Sequence, residues 1–172
     1  MTKTAKAALN STMISKRARP EILAMGGYVS ARSIEKSTTG TIFLDANECG
    51  FEPFVSAHNL SRYPEQQPVA LQDAICRWLD VSSRHITITR GADEAIDCLV
   101  RAFCVSGKDN IVICPPTFAM YAQSATLQNA EVREARLDNK FDLDIKLIQQ
   151  TTDKNTKIIF VCSPNNPTAN LM

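Results

Sequence analysis

The sequence predicts an α/β fold with a mainly parallel sheet covered by helices, and three observations carry the prediction. Residues 110–114 (NIVIC) and 157–162 (KIIFVC) are short apolar runs rich in β-branched members, the pattern of strands buried on both faces. Between and before them lie segments whose apolar residues recur every three or four positions, the period of a helix with one buried face. Strand and helix alternate at a spacing that demands crossover connections, which place helices on the faces of a parallel sheet.

The bulk composition narrows the class. The chain has 172 residues, 44% of them hydrophobic and 22% charged, enough apolar material for one domain with a real core. Lys plus Arg number 19 and Asp plus Glu 18, so no long-range field favours nucleic acid or an anionic membrane. No apolar run approaches the length needed to span a bilayer. The six cysteines form no CxxC pair and only two histidines accompany them, which argues for reduced, buried thiols rather than zinc.

Taken in order, residues 2–20 carry five basic residues and no acid, a composition that fits a basic surface arm or an organelle transit segment but lacks the apolar centre of a secretory signal. Residues 20–34 start a short helical pattern that Gly26-Gly27 breaks before Tyr28. Residues 41–48 (TIFLDANE) predict a strand ending in Asp45, Asn47 and Glu48, and Arg62-Tyr63-Pro64 an extended stretch, since Pro disfavours a helical predecessor. Pro68 suits a helix start, with Leu71, Ile75, Trp78 and Leu79 on one core-packing face. A strand is predicted over 85–89 (HITIT), a helix over 92–104 and a strand over 110–114. Thr117 is placed to cap a helix over 118–127. A strand over 130–137, a helix near 144–150 and a central strand over 157–162 complete the alternation.

Two stretches carry chemistry. Arg90-Gly91-Ala92-Asp93-Glu94 joins a predicted strand to a helix, and its small residues leave the first backbone N–H groups of that helix open to an anion. The same string is also a tight turn whose Asp93 and Glu94 complement the helix dipole. It lacks the lysine of a Walker P-loop and the GxGxxG of a dinucleotide site, which disfavours ATP and NAD. Residues 163–168 (SPNNPT) break the last strand with two prolines and leave two amides at the carboxyl edge of the sheet, where α/β folds bind ligands; Asn and Pro are equally ordinary turn residues.

SPNNPT resembles the signature of the class I/II aminotransferases, fold-type I enzymes that use pyridoxal 5'-phosphate (PLP). TRGADEAID, RAFCVSGKDNIVICPPTFAMY, RYPEQQP, YVSAR and LDANE, in family order from about residue 28 to residue 168, are similar to the histidinol-phosphate aminotransferases within it. The resemblance implies an arm over residues 1–60 and, over 61–172, the first part of an incomplete fold-type I large domain. It implies amino transfer between glutamate/2-oxoglutarate and histidinol phosphate/imidazole-acetol phosphate, in a cytoplasmic homodimer. Another fold-type I enzyme, such as a decarboxylase or an aminotransferase of a different substrate, is the nearest alternative.

Carried over position by position, the resemblance gives the backbone amides of Ala92 and Asp93 to the cofactor phosphate and the Asn166 amide to its phenolic oxygen. It places Phe118 on the pyridine ring, where relatives usually carry Tyr. Tyr63 would reach a partner's cofactor phosphate, while Tyr28 and Asn47 would line the substrate pocket. Ala169 departs from the family's usual Gly, which matters only if φ there is positive. The lysine that anchors PLP in this family lies beyond SPNNPT, whereas all nine lysines here precede it. No catalytic residue is therefore assigned, and these 172 residues are expected to be the amino-terminal part of an enzyme or a catalytically dead remnant.

Overall fold

The computed structural model describes residues 14–26, 42, 48–51, 63–64 and 67–172. They fall into two compact units, one of residues 14–25 with 89–172, the other of the described residues between 26 and 88. In the first lie helix α1 (Pro20–Ala24), and in the second α2 (Val69–Leu79). The first unit continues with α3 (Gly91–Phe103), β1 (Asn110–Ile113), α4 (Met120–Leu127), β2 (Glu131–Glu134), α5 (Ile145–Thr151) and β3 (Thr156–Phe160).

The three strands form a parallel sheet in the order β2-β1-β3, with Ile111 opposite Val132 on one side and Ile158 on the other. β1 is buried at all four positions because strands flank it on both sides. Ile111 and Ile113 meet Ile96 and Val100 of α3, Ala125 of α4, Cys104, Ala130 and Phe160 in one core. Burying an aliphatic side chain of this size contributes roughly 1.5–3 kcal/mol, so this cluster anchors the unit. α3 offers Ile96 and Val100 one turn apart on its buried face. α5 begins where the Asp144 carboxylate accepts from the Leu147 amide at 2.9 Å. α1 starts with Pro20 and is tied to α3 where Arg19 donates through its amide to the Ala102 carbonyl at 2.9 Å.

The amino edge of the sheet is fixed by a polar network. The Asn110 side-chain Nδ2 donates to Asp153 (3.1 Å), the Thr156 hydroxyl donates to the Asn110 side-chain Oδ1 (2.6 Å), and Arg133 pairs with Asp153 at 2.9 Å. These bonds hold the Asp153 carboxyl down at about 2, the Asn110 amide first among the causes. Buried Asp109 accepts from the Val105 amide at 2.8 Å and faces Lys157 at 3.7 Å.

Several expectations are corrected. β3 ends at Phe160, short of the expected 162, and among the described residues pairs only with β1, so Ile159 and Val161 are each 44% exposed. The strand over 85–89 does not form. Ser83–His85 is a 3-10 turn, and beyond it side-chain amides take the place of a ladder: Gln67 accepts from the Ile88 amide (2.6 Å) and donates to its carbonyl (3.2 Å), and Gln72 donates to the Ile86 carbonyl (2.9 Å). Helix α2 starts after Pro68 as its pattern demands, but its apolar face meets no described core and Trp78 is 81% exposed. The strand over 130–137 shortens to β2, although Ala135 and Leu137 extend the pairing by donating to the carbonyls of Ile113 and Pro115. Of the six free thiols only Cys104 and Cys114 are buried, and burial pushes Cys104 up to about 11. The predicted strand over 41–48 lies almost wholly outside the described residues. No described helix is long and apolar enough to cross a membrane.

Candidate functional site

Helix α3 ends beside the start of β1, so it runs antiparallel to that strand. Its 13 residues rise about 20 Å, which carries its amino terminus to the carboxyl edge of the sheet. There Gly91 takes φ +75°, a conformation glycine adopts at no steric cost. The turn closes on itself: the Gly91 amide donates to the Thr89 carbonyl and the Thr89 hydroxyl to the Gly91 carbonyl, both at 2.9 Å. Glu94 folds back to accept from the Arg90 amide at 2.5 Å and from its guanidinium at 3.0 Å, and these bonds hold its carboxyl below the usual range. The Glu94 charge is thereby paired with Arg90, while Asp93 is the other acid of the turn. The amides of Ala92 and Asp93 belong to the helix's first turn, which gives them no internal acceptor, and both residues are exposed. The dipole of α3 adds positive potential at the same point.

Two further loops leave the same edge, residues 114–119 after β1 and residues 161–170 after β3. They are joined by Asn165, which is 3% exposed. Its side-chain amide donates to the Pro116 carbonyl at 2.9 Å and to the Thr168 hydroxyl at 2.6 Å, and its carbonyl oxygen accepts from the Thr117 hydroxyl at 3.1 Å. Thr117 therefore does not cap a helix over 118–127: its hydroxyl is engaged across the loops, and α4 starts at Met120 without a side-chain cap. The Thr168 hydroxyl passes its proton side to Asn170, whose amide donates to the Phe141 carbonyl at 2.9 Å. Peptides 115-116, 163-164 and 166-167 are cis.

Phe118 is half-buried and meets Tyr121 edge to face (5.7 Å, 84°), while Tyr121 stacks on Phe160 (4.5 Å, 10°). Such contacts fix the plane of the Phe118 ring. Burial, and then the neighbouring Cys162 thiol, push the Tyr121 hydroxyl up to about 12, so it stays protonated at neutral pH.

Of the residues singled out from sequence, Ala92 and Asp93, in the first turn of α3, and Phe118 and Asn166, on loops, thus lie at one edge of one sheet, with Asn166 exposed beside buried Asn165. Tyr63 belongs to the other unit; it is 68% exposed and its amide donates to Glu48 at 2.8 Å. Tyr28 and Asn47 lie outside the described residues. Sequence reasoning gave no role to Tyr121, read Thr117 as a helix cap and left Asn165 as one of two amides in a turn. The paired amides of SPNNPT signalled that one of them is structural, but nothing local said which. Chemically, the edge offers free N–H donors for a phosphate-sized anion, an aromatic side chain and an exposed amide donor. Among the described residues no group of three or more His, Cys, Asp or Glu is arranged to hold a metal.

Residues 38–172 match the family described as aminotransferase class I and II. A histidinol-phosphate aminotransferase of Bacteroides thetaiotaomicron is 42% identical over 152 residues, covering 88% of this chain and 42% of the relative. One from Cytophaga hutchinsonii is 46% identical over 147 residues, covering 84% and 41%. The solved histidinol-phosphate aminotransferase of Clostridium acetobutylicum superposes with a TM-score of 0.55 at 26% identity, over 66% of this chain and 32% of that one. The chain therefore spans less than half the length of the curated relatives it matches.

Proposed function

The chain belongs to the class I and II aminotransferase family, and from that premise we propose that it forms the cofactor-holding part of a PLP-dependent transaminase of histidine synthesis. The observation that carries the reading is the convergence at one sheet edge of the α3 amino terminus, the Phe118 loop and the exposed Asn166 amide. This donor set fits PLP. Unfilled backbone N–H groups and a helix dipole suit its phosphate dianion, an aromatic ring suits its pyridine, and an amide N–H suits its phenolic oxygen. When bound, PLP supplies an electron-accepting ring through which an amino group passes between amino acid and oxo acid.

The residues divide that work. Ala92 and Asp93 hold the phosphate through backbone amides, so the Asp93 carboxylate need not approach it. Phe118 covers the ring with a side chain whose plane Tyr121 fixes. Asn166 donates to the phenolic oxygen, favouring its ionised form. Tyr63, Tyr28 and Asn47 are assigned by similarity alone, Tyr63 to the cofactor phosphate of a second subunit in a homodimer and the others to the substrate. The relatives' names point to histidinol phosphate; its exchange partners, glutamate/2-oxoglutarate and imidazole-acetol phosphate, are assigned by similarity alone.

Equilibrium dialysis tests the cofactor reading. PLP is expected to bind at least about tenfold more tightly than pyridoxal, because only the phosphate engages the amides; equal affinities would count against the phosphate site. The substrate reading is tested with a chimera carrying residues 38–172 in place of the matching segment of the B. thetaiotaomicron relative. It is expected to retain amino transfer from glutamate to imidazole-acetol phosphate. A soluble, PLP-loaded chimera that transfers to other oxo acids but not to this one would overturn it.

A further inference from the structure

Asn165 is the residue through which the two ring-facing loops touch. Its side chain has three principal hydrogen-bonding valences in use at once, two donors to the Pro116 carbonyl and the Thr168 hydroxyl and one acceptor for the Thr117 hydroxyl. Its backbone is held as well, donating to the Asn170 carbonyl at 2.8 Å and accepting from the Ala169 amide at 2.7 Å. The amide cannot be turned over without loss, because the Pro116 carbonyl only accepts and would then face a second carbonyl oxygen. Residue 165 is thus fixed from both loops, and the residue bonded to it is Asn166, whose side chain is left exposed. Thr117, at the other end of the bridge, is bonded to Phe118.

We propose that Asn165 is a positioning residue: by clamping residues 116 and 117 to residue 168, it sets where the Asn166 amide stands relative to the Phe118 ring. Asn165 itself touches no ligand. A buried aliphatic residue of similar size would fill the space without joining the loops, and a carboxylate would oppose the Pro116 carbonyl. The proposal rests on the cofactor reading above for its consequence in binding, but the loop-to-loop clamp stands on the hydrogen bonds alone.

The test has two readouts. In the first, PLP affinity of the 172-residue chain is measured by equilibrium dialysis for wild type, Asn165→Ala, Asn166→Ala and the double variant. Asn165→Ala is expected to weaken binding about tenfold, as loss of a buried hydrogen-bonded amide does, and to weaken it less than about twofold further once Asn166 is already Ala. Equal losses in both backgrounds would mean that Asn165 does not act through Asn166 and would overturn the proposal. In the second, amide exchange follows Ala169, which donates to Asn165, and Leu137, which donates to the Pro115 carbonyl. Asn165→Ala is expected to speed exchange at both while the β1 amides keep their protection; faster exchange at Ala169 alone would overturn the clamp. If Asn165→Ala also loses protection in β1, Thr117→Val, which deletes one of the two side-chain bonds between the loops and leaves the one from Asn165 to Pro116, is read by the same criteria. A wild-type chain that binds no PLP would overturn the cofactor reading, and the exchange pair would still decide the clamp.

Discussion

Ala169 holds φ +63°, in the left-handed region where a Cβ crowds its own backbone. Its amide donates to the Asn165 carbonyl at 2.7 Å, so the conformation is enforced by the loop that carries Asn166. An L-residue other than Gly at such a position costs about 1 kcal/mol, which the hydrogen bonds of Asn165 and Thr168 offset. Ala169→Gly is therefore expected to raise stability by about 0.5–1 kcal/mol, even though Gly loosens the unfolded chain. Urea denaturation should show a higher midpoint with unchanged slope. Gly107 supplies the opposite sign within the same molecule: φ is +69° and an added Cβ would lie 3.4 Å from the Asn129 amide nitrogen. Gly107→Ala should lower the midpoint by a comparable amount. A fall on Ala169→Gly would show that the left-handed conformation is not held in solution.

At the scale of elements, the amino terminus of α3 and the amino edge of the sheet make separate predictions. Among the described residues nothing lies within 4 Å of a Cβ built on Gly91, so a Cβ there is opposed by φ +75°. Gly91→Val is expected to shift that turn, turn the Ala92 and Asp93 amides away and weaken PLP retention at least about tenfold, with β1 still protected from exchange. Unchanged retention would count against the phosphate assignment. At the other edge, Asp153 titrates at about 2 in the fold against an ordinary 3.8. Its pKa is depressed, so the stability it contributes is present above the unfolded value and is lost as pH falls through about 2. Wild type should lose stability between about pH 4 and 2 more steeply than Asp153→Asn, and their urea midpoints should converge; parallel profiles would exclude the network as the cause. The elements differ in how legible they are. α3, β1 and α5 follow from periodicity, because the residues that decide them are local. The exposed face of α2 among the described residues and the missing strand at 85–89 depend on neighbours distant in sequence, which no window of residues reports. Gln67 and Gln72, reaching the backbone of residues 86 and 88, are such neighbours.

For the molecule as a whole, the α/β class and its parallel sheet are readable from the alternation of apolar runs, and the sheet edge that carries the site follows from the direction of β1 and β3. What the sequence leaves out is which Asn of SPNNPT is buried, since that depends on Pro116 and Thr117, nearly fifty residues away. The same view of the molecule governs its chemistry. Amino transfer on PLP needs a lysine to anchor the cofactor and to move the substrate proton. All nine lysines precede Ser163. The last of them, Lys157, stands at the amino end of β3 facing Asp109 at 3.7 Å. The carboxyl end of that strand, Phe160, lies about 10 Å further along its axis, and Asn166 follows in the loop beyond it. A polypeptide of these 172 residues is accordingly expected to bind PLP at the α3 terminus yet to transfer no amino group. Release of 2-oxoglutarate from glutamate and imidazole-acetol phosphate, measured at saturating PLP, should stay at the level of free cofactor. Turnover above that level, abolished by Asn166→Ala, would mean that a lysine before SPNNPT reaches the site and that the assignment by position is wrong.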